Sequence, residues 1–403
     1  MGSLRLSTAG ESHGPAEICI LEGVPAGLPL RPEDVDRDLA RRQRGFGRGG
    51  RMRLETDRVT FLAGVRLGRT LGSPVAMLVA NADHANWRPS MQPEPKEGWA
   101  AEPVTVPRPG HADLAGVAKT GHDDIRNVLE RSSARETVAR VAAGAVAKVL
   151  LAALGATVRG RVLAVGGVRA QDTADMRDPG SVDWDRVEAS AFGCADPEAE
   201  TAMVAAVEKA RDCGESLGGV FEIWAWGIPP GLGGYATPAS RLDGRLLGAV
   251  GSIPAVKGVE IGLGFAAAAL PGSEVHDPIV LGENRGGAAR VFLRRASNRA
   301  GGLEGGMTNG LPVIVRAAMK PIPTLMRPLP SVDLATMRAV DAHKERSDVE
   351  AVAAARVVGE AMVALELASA YLEKFGGDGM GELRRTVAAY EAELEERGLW
   401  RRS

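Results

Sequence analysis

The longest periodic apolar segment of the chain is DVEAVAAARVVGEAMVALELASAYLEKF, residues 348–375. It predicts a long, mostly apolar helix that ends at Gly376 and Gly377. A helix of this kind belongs inside a large core, and 403 residues are enough to bury one. Helical and strand-like segments are mixed along the chain rather than strictly alternating, which indicates one large α+β unit. Length alone favours two or three domains.

Hydrophobic periodicity and turn residues predict the other elements. Pro32 opens a first helix, and Ser133 and Glu136 have the spacing of a capping box at the start of a second. Five prolines between Trp87 and Pro107 predict a long loop or lid. The predicted strands are 57–64, 73–81, 218–228, 256–263 and 311–319, and the further predicted helices are 32–43, 133–154 and 238–249.

Charge and aromatic content restrict the class of partner. The formal net charge is −2, so local clusters of arginine lie in a chain that is not basic overall. This balance favours a focused anion site over a nucleic-acid surface. Aromatic residues make up only 4%, which is little material for stacking nucleic-acid bases.

The cysteines and the apolar runs indicate the compartment. Three cysteines, far apart and without a CxxC or Cys/His spacing, make disulfides or a zinc site unexpected and favour a reducing cytoplasm. The first residues, MGSLRLSTAGESHG, lack an apolar signal core. No apolar run approaches the ~20 residues needed to span a bilayer. We therefore expect a cytoplasmic protein with no membrane or metal partner.

The segment RRQRGFGRGGRMR, residues 41–53, combines six arginines with four glycines. It contains a G-x-G-x-x-G match, but a dinucleotide fingerprint requires a strand before it and a helix after it. RRQR precedes the match and RMRLETD follows it, so the match is coincidental. A solvated run of charge and one wall of a pocket for a small polyanion both remain open from these residues alone.

Two further segments carry histidines among small residues. AGESHGP, residues 9–15, presents His13 on a flexible backbone that a ligand can approach, although a plain turn explains it equally well. In RPGHAD, Arg108 and His111 flank a tight turn. Arg131, Ser132 and Ser133 then lead into the predicted second helix, whose amino terminus, with Arg135 nearby, would form an anion site. Simple caps are the alternative for these serines.

Two segments near the carboxyl terminus complete the candidates. SNRAGGLEGGMTNG, residues 297–310, precedes MKPIPT, residues 319–324, where Lys320 would supply a point charge beside a glycine-lined surface. A loop of tight turns is the alternative. In ERSD, residues 345–348, Asp348 is placed either as a helix N-cap or as a reactive carboxylate. Together the candidates indicate proton transfer on a polyanionic, phosphorylated substrate.

Eight blocks resemble the signature segments of the chorismate synthase family. They occur in the family's order and span nearly the whole chain. The blocks are GESHGPAEICILEGVP (10–25), RRQRGFGRGGRM (41–52), RPGHAD (108–113), LERSSARETVARVAAG (129–144), VKGVEIG (256–262), NRAGGLEGGMTNG (298–310), AAMKPIPT (317–324) and RSDVEAVAAARVVGEAM (346–362).

The resemblance implies a lyase that converts 5-enolpyruvylshikimate 3-phosphate to chorismate and phosphate by an anti 1,4-elimination. This is the last step of the shikimate pathway. Reduced FMN is required without net redox change, and NADPH is a candidate reductant for it. The implied fold is a single α+β domain over residues 1–403, with antiparallel β-sheets sandwiched between helices in a β-α-β sandwich. The implied assembly is a homotetramer.

The resemblance also implies site residues. His13 and His111 look like the family's acid/base histidines, and Asp348 like the carboxylate that works with the flavin on the C6 proton. Substrate would be bound by Arg42, Arg48, Arg51, Arg108, Arg135 and Arg346. FMN would be bound by Arg131, Ser132, Ser133, Pro254, Ala255, Gly305, Lys320, Pro321, Ile322, Pro323, Thr324 and Arg346. Arg42 and Arg48 are alternatively contacts for NADPH.

The remaining arginines of the opening segment and one histidine receive no chemical role. Arg41, Arg44 and Arg53 are expected to be surface or interface charges, and His122 is expected to be non-catalytic. An arginine-glycine RNA-binding protein and an unrelated phosphate-ester enzyme are the competing hypotheses. The first predicts strongly salt-dependent RNA binding, and the second predicts no flavin requirement.

Overall fold

The computed structural model describes residues 2–47, 56–94, 101–282, 292–343 and 348–402. The helices in these residues are α1 Pro32–Gln43, α2 His84–Trp87, α3 Asp113–Thr120, α4 Arg126–Ser132, α5 Thr137–Ala153, α6 Trp184–Ala189, α7 Pro197–Asp212, α8 Leu242–Gly251, α9 Gly272–Val275, α10 Val352–Phe375 and α11 Met380–Glu396. The strands are β1 Arg5–Gly10, β2 Ala16–Glu22, β3 Val59–Ala63, β4 Val65–Arg66, β5 Arg69–Thr70, β6 Val75–Ala80, β7 Thr157–Val165, β8 Val168–Arg169, β9 Gly219–Trp226, β10 Val256–Ile261, β11 Ile279–Leu281, β12 Leu293–Arg295, β13 Leu303–Glu304, β14 Met307–Thr308, β15 Val313–Met319, β16 Pro330–Asp333 and β17 Arg338–Asp341.

Two antiparallel sheets form the outer layers of the molecule. The first has the order β1-β2-β6-β3, and the second has the order β10-β15-β9-β7-β8. In the first sheet, Cys19 pairs with Met77 in register, and both side chains are buried on the same face. Buried and more exposed residues alternate along β6, as expected for a strand with one face on the core.

Helices fill the space between the two sheets. Helix α5 contacts β1, β2 and β6 of the first sheet, and α10 contacts β7 and β9 of the second. The two helices pack on each other, and α1 and α8 flank them. Their closest approach is at Gly144, where a Cβ atom would lie 2.2 Å from Cβ of Ala361. One hydrophobic cluster runs through this layer and includes residues from Cys19 to Val387.

The predicted α+β class with antiparallel sheets is confirmed, and the layer order is β-α-β. The first sheet is an outer layer, but the second sheet is also covered by a helix on the face away from the core. The expectation of a sheet between helices is therefore met by the second sheet. Trp184 of α6 packs there against Trp224 and Trp226 of β9, in a small cluster separate from the main core.

All the predicted strands and helices occur, but three helices start four residues later than predicted. The helix predicted over 238–249 is α8 Leu242–Gly251. The predicted helix 133–154 begins with a 3-10 turn at Ala134–Glu136, and the α-helix starts at Thr137. The side chain of Ser133 accepts a hydrogen bond from the backbone of Arg135, so the predicted capping box with Glu136 is not the arrangement that forms. Helix α10 starts at Val352, whose backbone N–H donates to the side chain of Glu350 at 2.6 Å. The interpretation of Asp348 as its N-cap is therefore wrong.

A buried network of ion pairs joins α1 to the helix layer. Arg41 donates to Asp38, Glu188 and Glu360 at 2.6–2.9 Å. Lys148 of α5 also contacts Asp38 and Glu360, both at 2.8 Å. Arg41 is thus buried, and its prediction as a surface or interface charge is wrong. Burial opposes the charge on Glu360, but Arg41 and Lys148 outweigh it and lower the pKa of that carboxyl well below its usual range.

The other expectations about surface charge have separate outcomes. Arg44 is exposed at the end of α1, as predicted. Arg53 lies outside the described residues.

None of the helices that the structure describes is long and apolar enough to cross a membrane.

Candidate active site

His13 lies in the turn between β1 and β2 and is held by Glu130 of α4. The Nδ1 atom of His13 lies 2.8 Å from Oε1 of Glu130, and the backbone N–H of His13 donates to Oε2 at 2.8 Å. The imidazole packs on the ring of Trp87, with 3.9 Å between ring centroids and 30° between ring planes. His84 contacts the carbonyl oxygen of His13 at 3.0 Å. The ring therefore has a defined position and orientation.

Glu130 remains ionised although its side chain is only 3% exposed. Burial raises the pKa of this carboxyl, but the hydrogen bonds and charge of His13 outweigh burial and lower it overall. Arg126, one turn earlier, donates to Oε1 at 3.1 Å. The carboxylate is a suitable partner for a histidine that gains and loses a proton.

The serines near His13 connect two segments far apart in sequence. The backbone N–H of Ser12 donates to the carbonyl of Glu130 at 3.0 Å. The hydroxyl of Ser133 donates to that of Ser12 at 3.1 Å. Ser132 and Arg131, by contrast, belong to the last turn of α4 rather than to the start of α5. The predicted anion site at a helix amino terminus is therefore wrong in its geometry for these two residues.

Arg131 contacts β1 and forms a long ion pair with Glu17 of β2. Arg131 donates to the backbone carbonyls of Thr8 and Gly10, both at 3.2 Å, and its Nη1 atom lies 3.5 Å from Oε2 of Glu17. Glu17 is 1% exposed, and among the described residues its Oε1 atom has no hydrogen-bond partner. Burial raises the pKa of Glu17 to about 7, with Arg131 and Arg135 opposing that rise.

Arg42 and Arg135 share one buried carboxylate, Asp57. Nη1 of Arg135 donates to Oδ1 of Asp57 at 2.7 Å, and Nη1 of Arg42 lies 3.5 Å from Oδ2. Nε of Arg135 donates to Asn81 at 2.8 Å, and Nε of Arg42 donates to Thr137 at 2.9 Å. Both guanidiniums are buried and fixed in orientation, which contradicts a solvated charge run for this part of the arginine-glycine segment.

His111 and Arg108 meet at the carboxylate of Asp113. Oδ1 of Asp113 lies 2.5 Å from Nδ1 of His111, and Oδ2 accepts from Nε of Arg108 at 2.9 Å. Burial raises the pKa of Asp113, but the hydrogen bonds from His111 and Arg108 outweigh it and hold the pKa well below its usual range. Arg108 also contacts the hydroxyl of Thr324 at 3.3 Å, which joins this segment to residues 320–324.

Residues 320–323 line a cavity of 240 Å³ together with Pro109 and Gly110. Lys320 donates to the carbonyl of Gly110, and its backbone N–H donates to Ala255 at 2.9 Å. Burial, with Lys257 nearby, lowers the pKa of Lys320. Ala255, which follows Pro254, has a φ of +68°. This left-handed conformation is uncommon for a residue with a Cβ and is found often at ligand sites.

The chain near Asp348 lies between the arginine-glycine segment and this cavity. The backbone N–H of Val349 donates to Gly47 at 3.0 Å, and the N–H of Leu217 donates to Val349 at 2.8 Å. The hydroxyl of Ser216 donates to the carbonyl of Ile322 at 2.6 Å. Asp348 is thus adjacent to a short series of contacts between these two segments.

Two further residues singled out from the sequence have exposed positions. Gly305 is exposed in the turn of the β13–β14 hairpin, with a φ of +59°. His122 is exposed. Arg48, Arg51 and Arg346 lie outside the described residues.

Helices α3 and α4 connect the two histidine clusters. They cross at Gly116, where a Cβ atom would lie 2.1 Å from Cγ1 of Val128. Asp113 begins α3, and Glu130 lies in α4. The carboxylate partners of both histidines are therefore carried by one packed pair of helices.

The residues whose side chains hold the predicted site residues in place were not identified from the sequence. Asp113 and Glu130 occur in the quoted blocks RPGHAD and LERSS, two residues from His111 and one from Arg131, and an acidic residue so close to a candidate cation is a usable signal. Asp57, Asn81 and Trp87 carry no local signal, because their partners are distant in sequence.

The arrangement provides two histidine–carboxylate pairs, three buried guanidiniums and one lysine. Such groups can transfer protons to or from an anionic ligand and stabilise negative charge on a leaving group. Among the described residues, no group of three His, Cys, Asp or Glu side chains is arranged to hold a metal ion.

Comparisons with known proteins agree with these features. The family model described as chorismate synthase matches residues 4–372. A chorismate synthase from Rubrobacter xylanophilus is 58% identical over 393 residues, covering 98% of this chain and 97% of that protein. One from Desulforudis audaxviator is 57% identical over 380 residues, covering 94% and 95%. A crystal structure of chorismate synthase superimposes with a TM-score of 0.78 at 40% identity, covering 98% of this chain and 99% of that one.

Proposed function

The chain belongs to the chorismate synthase family, and from that premise we propose that it converts 5-enolpyruvylshikimate 3-phosphate to chorismate and phosphate. The observation that carries the proposal is the match to relatives of this name over nearly the full length of both proteins. The reaction is an anti 1,4-elimination that removes the C3 phosphate and a C6 hydrogen. In class, this makes the protein a carbon–oxygen lyase acting on a phosphate.

The charge of the substrate suits the buried arginines. A phosphate and two carboxylates call for several guanidiniums held in fixed orientation. We assign Arg42, Arg108 and Arg135 to this role, because Asp57 and Asp113 hold them rigidly. Arg48, Arg51 and Arg346 belong to the same proposal by family resemblance alone. Guanidiniums near the C3 phosphate would stabilise the charge that grows as the carbon–oxygen bond breaks.

The residues around the 240 Å³ cavity have the chemistry of a flavin site. Lys320 offers a cation, and three prolines offer apolar surface. Ala255, which accepts from the backbone of Lys320, has a backbone conformation typical of ligand contacts. Ligand pockets commonly measure about 300–1,000 Å³, so other segments would have to complete the enclosure. We propose that Arg131, Ser132, Ser133, Pro254, Ala255, Gly305, Lys320, Pro321, Ile322, Pro323, Thr324 and Arg346 hold FMN.

Reduced FMN, when bound, supplies electron density to the substrate as the phosphate leaves. The chain itself supplies proton transfer. His13 and His111 each carry a carboxylate at Nδ1, so Nε2 is the atom that would give or take a proton. We propose that one histidine serves the departing phosphate and the other the flavin, and that Asp348 helps remove the C6 proton.

We further propose a single domain over residues 1–403, a homotetramer, a cytoplasmic location and NADPH as a candidate reductant. The domain proposal is supported by the hydrophobic cluster that the two sheets share through one helix layer. The competing hypothesis of an RNA-binding protein receives no support from the relatives, which are named chorismate synthases. It would require strongly salt-dependent RNA binding.

An anaerobic assay tests the activity directly. Purified protein is mixed with 5-enolpyruvylshikimate 3-phosphate and chemically reduced FMN, and chorismate is measured. Chorismate should form with reduced FMN and not with oxidised FMN, and replacing the chemical reductant by NADPH identifies the source of electrons. A folded protein that produces no chorismate with reduced FMN contradicts the proposal, and turnover without flavin favours an unrelated phosphate-ester enzyme.

Two substitutions test the proton-transfer residues in the same assay. His111→Ala and Asp348→Ala should fold normally and lose about 10²–10⁴-fold in kcat, the usual contribution of a general acid or base. His122→Ala is the matched control, because that ring is exposed and has no assigned role. Near-normal rates in both variants would remove the assigned roles.

A further inference from the structure

Asp113 contacts two candidate active-site residues at once. Its Oδ1 atom lies 2.5 Å from Nδ1 of His111 and 3.2 Å from Nη2 of Arg108. Its Oδ2 atom accepts from both Nε and the backbone N–H of Arg108, at 2.9 and 3.0 Å. The side chain is 1% exposed. A carboxylate this deeply buried with this many donors is held rigidly.

These distances place the proton of the neutral His111 ring on Nδ1. An ionised carboxylate offers only acceptors, so Nδ1 at 2.5 Å from Oδ1 must carry a hydrogen. Nη2 of Arg108 lies 3.1 Å from Nδ1 and 3.5 Å from Nε2, and a guanidinium offers only donors. Arg108 therefore cannot donate to Nδ1, which already carries a hydrogen. The lone pair of the neutral ring is on Nε2, where Nη2 of Arg108 approaches to 3.5 Å.

The local backbone brings these three residues together. Gly110 has a φ of +81°, which turns the chain between Arg108 and His111. The backbone N–H of His111 donates to the carbonyl of Arg108 at 3.2 Å. Asp113 is the first residue of α3, whose crossing with α4 fixes its position. The turn and the helix together set the orientation of the imidazole.

We propose that Asp113 is a positioning residue that holds His111 with its proton on Nδ1, presents Nε2 to the reacting groups and orients the guanidinium of Arg108. The proposal rests on the proposed function for the role of His111. Without Asp113, Arg108 and His111 would face each other with no anion between them, and the ring would be free to turn or to change its tautomer. Glu130 holds His13 in the same manner and provides an internal reference.

Asp113→Asn tests the proposal by removing the charge with little change in shape. The amide NH₂ of asparagine can donate to Nδ1, which would move the ring proton of His111 to Nε2. We expect kcat to fall by about 10²–10⁴-fold, as when a general base is lost. Asp123→Asn is the matched control, because Asp123 is exposed in the turn after α3.

The tautomer is measured without cofactor or substrate. Protein labelled with ¹⁵N-histidine is examined by two-bond ¹⁵N–¹H correlation, and His111→Gln assigns the signal. Wild-type protein should show a proton on Nδ1 of His111, and Asp113→Asn should show it on Nε2. The signal of His13 should be the same in both proteins.

The outcomes separate this proposal from the proposed function. An unprotonated Nδ1 in wild-type His111 overturns the proposal even if Asp113→Asn does not fold. The proposal is also overturned if Asp113→Asn moves the ring proton of His111 to Nε2 but keeps kcat within about threefold of wild type. Because Asp113 acts in part through His111, the double variant His111→Ala/Asp113→Asn should lose less activity than the product of the two single losses, and fully multiplied losses would refute this. Absence of chorismate formation by the wild type would remove the proposed function and leave the spectrum of His111 as a test of the geometry.

Discussion

The carboxyl group of Glu17 is buried with little to compensate its negative charge. We therefore expect the stability of the protein to depend on pH. The side chain of Glu17 lies on the core face of β2 and is 1% exposed. Its Oε1 atom has no hydrogen-bond partner among the described residues, and Arg131 reaches Oε2 only at 3.5 Å. Burial raises the pKa from 4.5 to about 7. The folded protein therefore holds this proton more tightly than the unfolded chain does.

The size of the effect follows from that difference. A rise from 4.5 to about 7 corresponds to about 3 kcal/mol, at about 1.4 kcal/mol for each pH unit. The folded pKa is higher than the unfolded one, so this stability is fully present below pH 4.5. It is lost as the pH rises through about 7. Above that pH the wild type carries the cost of a buried charge.

Glu17→Gln removes the ionisation and keeps the shape of the side chain. At pH 5 the variant and the wild type should be nearly equal in stability. At pH 8 the variant should be more stable by about 3 kcal/mol, or about 4 °C in Tm for a chain of this length. Thermal and urea unfolding of both proteins, at equal protein concentration from pH 5 to pH 8, measure the trend.

Glu22→Gln is the matched control, since Glu22 lies on the same strand with an exposed side chain. Its effect on Tm should not change with pH. A Tm difference between Glu17→Gln and wild type that stays constant from pH 5 to pH 8 would refute the reasoning, because it would mean that Glu17 does not change its charge in this range. A variant that is less stable at pH 8 would mean that the carboxylate has a stronger partner than Arg131.

Two further substitutions in the helix layer, each with a matched control, are tested by thermal unfolding. Gly144→Ala should destabilise the protein by about 1–3 kcal/mol, because its Cβ would lie 2.2 Å from that of Ala361; an unchanged Tm would mean that the two helices separate easily. Gly244→Ala is its control in an open helical position with no atom within 4 Å of the new Cβ, and should stabilise by up to about 1 kcal/mol. Glu360→Gln should cost about 3–5 kcal/mol, since it removes the most buried of the carboxylates that pair with Arg41 and Lys148. A loss as small as that of Glu366→Gln, a less buried carboxylate, would show that the network is hydrated.

Local pattern was sufficient for four helices and five strands, but long elements such as β7, α7 and α11 were not predicted. The helix predicted over 32–43 is α1 Pro32–Gln43, because proline at a first turn and apolar periodicity are both local signals. The start of α5 was predicted too early, at Ser133. There the side chain of Ser133 donates to Ser12 and accepts from the next turn, and this tertiary contact competes with a regular cap.

The candidate site likewise contains residues that local sequence identified and residues that it did not. The histidines and arginines were identified from short blocks, since each block carries its own chemistry. The carboxylates that orient them were not, because most of these contacts join residues far apart in the chain. Glu130 meets His13 across 117 positions, and Asp57 meets Arg135 across 78.

Sequence by itself determined nine of the helices and strands, which family the chain resembles and which residues carry positive charge or an imidazole. Tertiary structure alone decided which charges are buried, and Arg41 and Glu17 illustrate this most directly. A run of arginines beside glycines resembles a surface segment, yet Arg41 contacts Glu360 across 319 positions inside the helix layer. Glu17 lies on the same face of β2 as the buried residues Cys19 and Leu21 and faces the interior. Desolvation depends on what surrounds a group in space, and neighbours in sequence do not determine those surroundings.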